Sequence, residues 1–294
     1  MESQWNFLPS RSAIVHMRFA FSFFLMPVFL FACSQAPQVI PINAILTFII
    51  WHLLVYPASN GYNSYFDNDE GSIALIENPP KVDKSLYYFS ILLDLIATFL
   101  AATVSWSLFV AVLIYGLFSK LYSHPSVRLK KFPIISFLIV FIFQGGCVYW
   151  SSYAAISGLN LFNGWNMNFV IAGLICSFII GATYPLTQVY QHDEDQNRGD
   201  KTLSIVLGIR GSFWFSAGFF LVSMFLLLIY WYRLGTMNNF WLFLAFVIPV
   251  ILFFGNWFLK VYQDPAEANF KNMSRMTLLS GVMMVVYFGI LNFI

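Results

Sequence analysis

Asn63-Ser64-Tyr65-Phe66-Asp67-Asn68-Asp69-Glu70-Gly71 is a dense polar island between two long apolar runs. A second island, Gln191-His192-Asp193-Glu194-Asp195 continuing to Arg198-Gly199-Asp200-Lys201-Thr202, stands in the same situation far along the chain. Nine of the thirteen acidic residues fall in or beside these two places: Asp67, Asp69, Glu70, Glu77, Asp83, Asp193, Glu194, Asp195 and Asp200. A chain poor in charge does not cluster carboxylates by accident. The pattern implies two oxygen-rich mouths opening on one membrane cavity.

Working outward, the 294 residues are 59% apolar and 10% charged. A soluble domain carries about 25% charged residues. That deficit, with apolar runs near the ~20 residues needed to cross a bilayer, makes an integral, multi-pass membrane protein. The net charge of +2 is too small to argue for nucleic acid as a partner. The three cysteines, Cys33, Cys147 and Cys176, sit in apolar runs as small core residues. Their odd number gives no disulfide framework, and no Cys/His spacing suggests zinc. The first apolar run contains Pro27, lacks a clean cleavage site and is long enough to span, so it is expected to stay rather than act as a signal peptide.

Apolar runs set against polar punctuation predict nine spans: Met17–Ser34, Ile40–Tyr56, Leu86–Ala102, Ser105–Ser119, Pro133–Tyr153, Phe169–Val189, Phe213–Trp231, Phe240–Leu259 and Met276–Ile294. Between the third and fourth, Ala101–Trp106 offers hardly any turn. With the N-terminus in the cytoplasm, the inner segments collect fourteen basic residues and the outer links only Arg233. The positive-inside rule expects that bias of a correct topology, N-in and C-out. Both acidic islands, the basic link Lys120–Lys131 and the link holding Asp264, Glu267, Asn269, Lys271 and Asn272 then share the cytoplasmic side. The expected fold is therefore all-α and polytopic, a single domain over 1–294, with nine transmembrane helices bundled around a central cavity open to the cytoplasm. Minimal loops suit a bacterial cell (inner) membrane. An acidic motif closes the second run and another closes the sixth, as duplicated helix groups would give.

Asn63 and Asp67 are four apart, as are Gln191 and Asp195, so each pair projects from one face if its helix continues through it. Opposed amide and carboxylate oxygens make a hard-cation site. Magnesium is held by a few carboxylates, waters and substrate phosphates rather than by a closed protein cage. Such a site grips a diphosphate and neutralises the charge growing on it as it leaves. For one island alone, a solvated acidic loop explains as much. Two islands on one side, each at the end of a span, favour the site.

These residues resemble the UbiA-type superfamily of intramembrane prenyltransferases, with nine helices and aspartate-rich motifs after helices two and six. The first family motif reads NxxxDxxxD: Asn63 and Asp67 match, while its third position falls on Gly71, with Asp69 and Glu70 nearby. The second reads DxxxD, then Gly and Thr-Leu: Asp195, Gly199 and Thr202-Leu203 match, while Gln191 replaces the leading aspartate. The resemblance implies a magnesium-dependent transfer of a prenyl group from its diphosphate to an acceptor, often aromatic. Both departures remove carboxylates and leave the number of magnesium ions open. The same ionisation with attack by the chain's own double bond would make a terpene cyclase. A transporter using carboxylates for cations would instead spread charge along several spans, where only Asp94 and His52 are found.

Ionising an allylic diphosphate makes a carbocation and a polyanion, stabilised by aromatic faces and by cations respectively. The expected catalytic residues are Asp67, Asp195, Arg128 and Lys201. Substrate contacts are expected from Asn63, Tyr65, Lys120, Lys130, Gln191 and Tyr184. Asn63, Asp67, Glu70, Gln191, Glu194 and Asp195 are expected at the metal. Positive-inside topology alone also demands basic residues in these loops. Asp94, midway along the third run, costs roughly 2.5–3.5 kcal/mol to insert and so is expected to face the bundle interior or a wet cavity. Gln144 is expected as packing glue and His52 as a satisfied interior residue. His192 is expected as a solvated imidazole beside the carboxylates, and Asn168, with the last inner link, as helix caps.

Overall fold

The computed structural model describes residues 9–68, 71–161 and 165–294. Among them nine helices are long and apolar enough to span a bilayer: α1 (Arg11–Gln35), α2 (Pro41–Asp67), α3 (Lys84–Val104), α4 (Trp106–Ser123), α5 (Pro133–Ser157), α6 (Met167–Thr187), α7 (Leu203–Leu234), α8 (Met237–Gln263) and α9 (Phe270–Ile290). No extended strand occurs among the described residues, only an isolated bridge between Ile73 and Ile76. The expected all-α, nine-span architecture is what the chain adopts.

Several ends differ from hydropathy for local reasons. Polar Asn60, Asn63 and Ser64 end the apolar run of α2 but not its hydrogen-bond ladder. The helix therefore runs to Asp67, where Asn68 closes it in the left-handed region at φ 49°. The second motif behaves otherwise. Pro185 breaks α6 into a terminal 3₁₀ turn, and Asp195 rides a separate short helix, His192–Asn197, with Gln191 at its N-cap. Gln191 and Asp195 thus do not continue α6, a correction to the expected geometry. α3 and α4 are split by one residue, Ser105, whose extended backbone turns the chain and whose Oγ accepts from Leu108 N at 3.1 Å. α7 begins well before Phe213 and is kinked at Gly208, φ 69°. α1 is interrupted at Arg18, φ 51°, resumes at Phe19, and passes through a 3₁₀ turn, Phe23–Leu25, into a last segment with Pro27 in its first turn.

α6 is the central helix: 72% of its apolar window is buried, against 22–44% for the other spans. Small residues let neighbours close on it. At Gly145 of α5, a Cβ would come within 2.3 Å of Ser177 Cα, so only glycine permits this α5–α6 approach. Elsewhere the core is aromatic, with Phe31, Tyr149, Trp231, Tyr287 and Phe288 all buried. Both α2 and α5 carry a π-helical segment, Ile49–Val55 and Val140–Cys147, in their apolar stretches. The links after α2, α4, α6 and α8 gather at one end of the bundle. Two contacts show it: Lys130 is ion-paired with Asp67, and the Tyr190 and Phe270 rings lie 5.5 Å apart.

Candidate active site

A cavity of about 290 Å³ opens at that end between α1, α2, α4, α5 and α6. The helical register of α2 puts Ser59, Asn60, Asn63 and Asp67 on its wall, and the second island adds Gln191, Asp195, Arg198, Asp200 and Thr202. The two acidic islands therefore share one opening.

What joins them is the link between α4 and α5. The 3₁₀ turn Leu129–Lys131, preceded by Arg128 in the left-handed region at φ 46°, carries two cations inward. Lys130 is ion-paired with Asp67 Oδ1 and lies 3.3 Å from Asp200 Oδ2. Arg128 Nε and Nη2 donate to the two oxygens of Asp200 at 2.8 and 2.9 Å, and Nη2 lies 3.6 Å from Asp67 Oδ1. All four side chains are at least four-fifths buried. Burial would raise the Asp200 carboxyl, but the hydrogen bond and charge of Arg128, with Lys130, hold it below the usual carboxylate range. Arg128 is correspondingly raised, first by its hydrogen bond to Asp200.

Asp195 is different. It lines the cavity and has no ion-pair partner among the described residues. Burial pushes its carboxyl up to about 6, with Lys130 and Arg198 opposing and Asp200 and Asp67 adding to the shift. Asn63 Nδ2 donates to Ser123 Oγ at 2.9 Å, which leaves its amide oxygen as the acceptor. Tyr122 and Tyr184, both on the wall, bring their hydroxyls within 3.0 Å of each other.

The cavity gathers Asn63, Asp67, Lys130, Tyr184, Gln191 and Asp195 of the expected residues, with Arg128 directly behind Asp67 and Asp200. Gln191 turns its amide nitrogen to the Ser72 carbonyl, at 3.1 Å. Besides Arg128, four expected residues are not on the wall. Glu194 is ion-paired with Arg198, and Lys201 is exposed. Tyr65 packs in an aromatic cluster with Phe66 and Tyr87. Lys120 is ion-paired with Asp94 and stands over the Tyr62 ring. Glu70 lies outside the described residues. Asp94, expected to face the bundle interior or a wet cavity, makes an interhelical ion pair instead of joining the cavity wall. His192 is half-buried, which lowers it, and meets Ser204 Oγ at 2.7 Å. The cap of α6 is Asn166, not Asn168, which accepts from Arg233; Asn269 does cap α9.

Sequence reasoning missed Asp200 as the partner of both cations, and Arg18, which lines the cavity and donates to Asn60 O at 3.0 Å. Gln144, expected as packing glue, stands in the π-helical segment of α5 on the cavity wall. An amide inside an apolar run was the available signal.

A second, almost wholly apolar chamber of about 300 Å³ lies between α1, α6, α7, α8 and α9. It shares Phe21, Leu25, Ile180, Thr183 and Thr187 with the polar cavity.

The model of the UbiA prenyltransferase family matches residues 24–281. A UbiA homologue from Archaeoglobus fulgidus bound to GPP and Mg2+ superposes with a TM-score of 0.68 at 14% identity, over 96% of this chain and 100% of that one. An apo UbiA homologue from Aeropyrum pernix K1 gives 0.64 at 17% identity, over 93% and 98%. A digeranylgeranylglyceryl phosphate synthase gives 0.60 at 18% identity, over 96% and 98%. At these identities the likeness speaks for the fold. No curated protein matches the sequence significantly.

Proposed function

Because the chain belongs to the UbiA prenyltransferase family, we propose that it transfers a prenyl group from a polyprenyl diphosphate to a hydrophobic acceptor, aromatic or lipid-like, within the membrane. The observation that carries the reading is the convergence of Asp67, Asp195 and Asp200 with Lys130 and Arg128 on one cavity that adjoins an apolar chamber. The polar cavity suits a diphosphate and the chamber suits its isoprenoid tail.

The donor set fits magnesium. Asn63, Asp67 and Asp195 offer oxygens only, and burial disfavours the Asp195 anion in a way that a divalent cation would reverse. These three would hold the ion, which when bound supplies charge neutralisation on the diphosphate. The chain's own residues do the rest. Lys130, Arg18 and Arg198 face the cavity and stabilise the polyanion as the allylic C–O bond breaks and its electron pair leaves with the diphosphate. Phe118, Phe143 and Tyr115 line the cavity and would supply aromatic surface near the carbocation left behind. The acceptor then bonds to the allylic carbon and loses a proton to the released diphosphate or to water.

The fourteen-to-one bias of basic residues supports an N-terminus and cavity mouth on the cytoplasmic side, and the minimal loops suit a bacterial cell membrane. The test is incubation of purified protein with magnesium and a panel of prenyl diphosphates, with and without membrane-extract acceptors. Acceptor-dependent diphosphate release, lost in Asp67→Ala and Asp195→Ala, is the expected result. A cyclic hydrocarbon formed without acceptor would replace transfer by cyclisation, and release surviving both substitutions would overturn the assignment.

A further inference from the structure

The polar cavity and the apolar chamber meet at a neck formed by the residues that line both: Phe21 and Leu25 of α1, and Ile180, Thr183 and Thr187 of α6. On α6 the spacings of three and four put these side chains on one face. α6 is the buried centre of the bundle, and from Phe169 to Thr187 Thr183 is its one exposed residue. Because Thr183 lines both spaces, the surface it exposes is cavity surface.

A threonine hydroxyl has one proton to donate and two lone pairs. Thr183 donates that proton to the Ile180 carbonyl at 2.9 Å, and Thr187 donates its own to the Tyr184 carbonyl at 2.8 Å. With both protons committed to their own helix, the two oxygens can meet a ligand only as electron-rich acceptors. They are the sole side-chain polar atoms of the five neck residues, none of which is charged.

An isoprenoid diphosphate joins a polyanionic head to a hydrocarbon tail through one allylic C–O bond. A head in the polar cavity and a tail in the chamber put that bond at the neck. When it breaks, its electron pair leaves with the diphosphate and positive charge grows on the allylic carbon. An oxygen dipole fixed in advance, in a space otherwise lined by hydrocarbon, stabilises that charge without reorganising. A neutral oxygen does so without the insertion cost a carboxylate would carry at this depth.

We propose that Thr183 and Thr187 are catalytic residues whose hydroxyl oxygens stabilise the allylic cation by charge–dipole attraction, with no covalent bond to either. Thr183, the more exposed, carries the larger share. The inference rests on the prenyl diphosphate reading above. A purely structural role would have both hydroxyls satisfy carbonyls where α6 tightens into its 3₁₀ turn at Pro185.

The test separates binding from ionisation. Detergent-solubilised protein with magnesium is assayed for diphosphate release from geranyl diphosphate in the presence of membrane-extract acceptors. Binding is measured with geranyl thiolodiphosphate, which resists ionisation. Thr183→Val keeps the shape and loses the oxygen, so kcat should fall about tenfold or more while the thiolodiphosphate Kd is unchanged. Thr183→Ser, which restores a hydroxyl, should recover most of the rate, and Thr187→Val should show a smaller loss of the same kind. Wild-type kcat in Thr183→Val, an equal loss in Thr183→Ser, or a Kd that weakens in step with the rate would overturn the inference and leave prenyl transfer standing. Failure of the wild type to release diphosphate from any prenyl diphosphate would remove the prenyl diphosphate reading itself.

Discussion

Arg128 grips Asp200 through two parallel hydrogen bonds, Nε to Oδ1 at 2.8 Å and Nη2 to Oδ2 at 2.9 Å. The pairing ties the link after α4 to the link after α6. A planar guanidinium makes this fork and a lysine ammonium cannot. Arg128→Lys keeps the charge and loses the second bond. The expected loss is about 1.5–3 kcal/mol of stability, the worth of a hydrogen bond to a charged group. It is read as a lower melting temperature in detergent. Because the same arginine flanks Asp67, diphosphate release should fall about tenfold as the wall loses its fixed geometry. A variant with wild-type melting and activity would show that the fork does not hold the two islands together.

Lys120 and Asp94 form an ion pair between α4 and α3, away from the cavity wall. Removing one partner leaves a charge without its counter-ion inside the bilayer, at a cost of about 3–5 kcal/mol. Lys120→Met is therefore expected to lower the melting temperature sharply. The double variant Lys120→Met/Asp94→Leu should recover most of it, because an apolar pair of similar volume needs no desolvation. Prenyl transfer should survive in the double variant. Lost activity in a well-folded double variant would restore Lys120 as a substrate contact.

How far these features can be read from sequence follows from how local their causes are. The nine spans were legible because apolar runs report membrane crossing directly, and the side shared by the islands followed from the basic residues. The opening shared by Asp67 and Asp195 was inferable from motif placement. The partnership of Arg128 with Asp200 was not: it joins residues 72 apart, and no local signal selects Asp200 over Asp193 or Glu194. The one-residue turn at Ser105 was equally hidden, since hydropathy is almost continuous across it and the cap geometry alone marks the break. Tyr65 looked like a site residue by proximity in sequence and Lys120 as a cation on the side shared by the islands, but both turn toward α3.

Asp83 caps α3, accepting from Ser85 N at 2.8 Å and paired with the Ser10 hydroxyl. Burial would raise its carboxyl, but the hydrogen bonds from Ser10 and Ser85 outweigh that and hold it below 3.8. A depressed folded value means the carboxylate's stabilisation is complete above the unfolded value and is lost as pH falls through the folded one. Wild-type melting temperature should therefore hold down to about pH 4 and drop below it. Asp83→Asn can still cap but cannot titrate, so it should melt lower at neutral pH and show a shallower acid drop. Identical acid slopes in the two proteins would exclude Asp83 as a contributor.

Ala217 stands on the wall of the apolar chamber, on α7. If the donor's tail lies there, each further isoprenoid unit gains burial at roughly 0.8 kcal/mol per CH₂, up to about 4 kcal/mol for five carbons. Ala217→Phe puts a ring into that space. Long donors should lose the burial of at least part of a unit, and 1.4 kcal/mol already corresponds to about tenfold in affinity. Short donors, whose tails stop before the ring, should be untouched. The expected result is a fall of about tenfold or more in kcat/KM for the longest accepted diphosphate, with dimethylallyl diphosphate unchanged. An equal fall for every donor would mean that the ring disturbs the fold or the head site, and would place the tail elsewhere than the chamber between α1, α6, α7, α8 and α9.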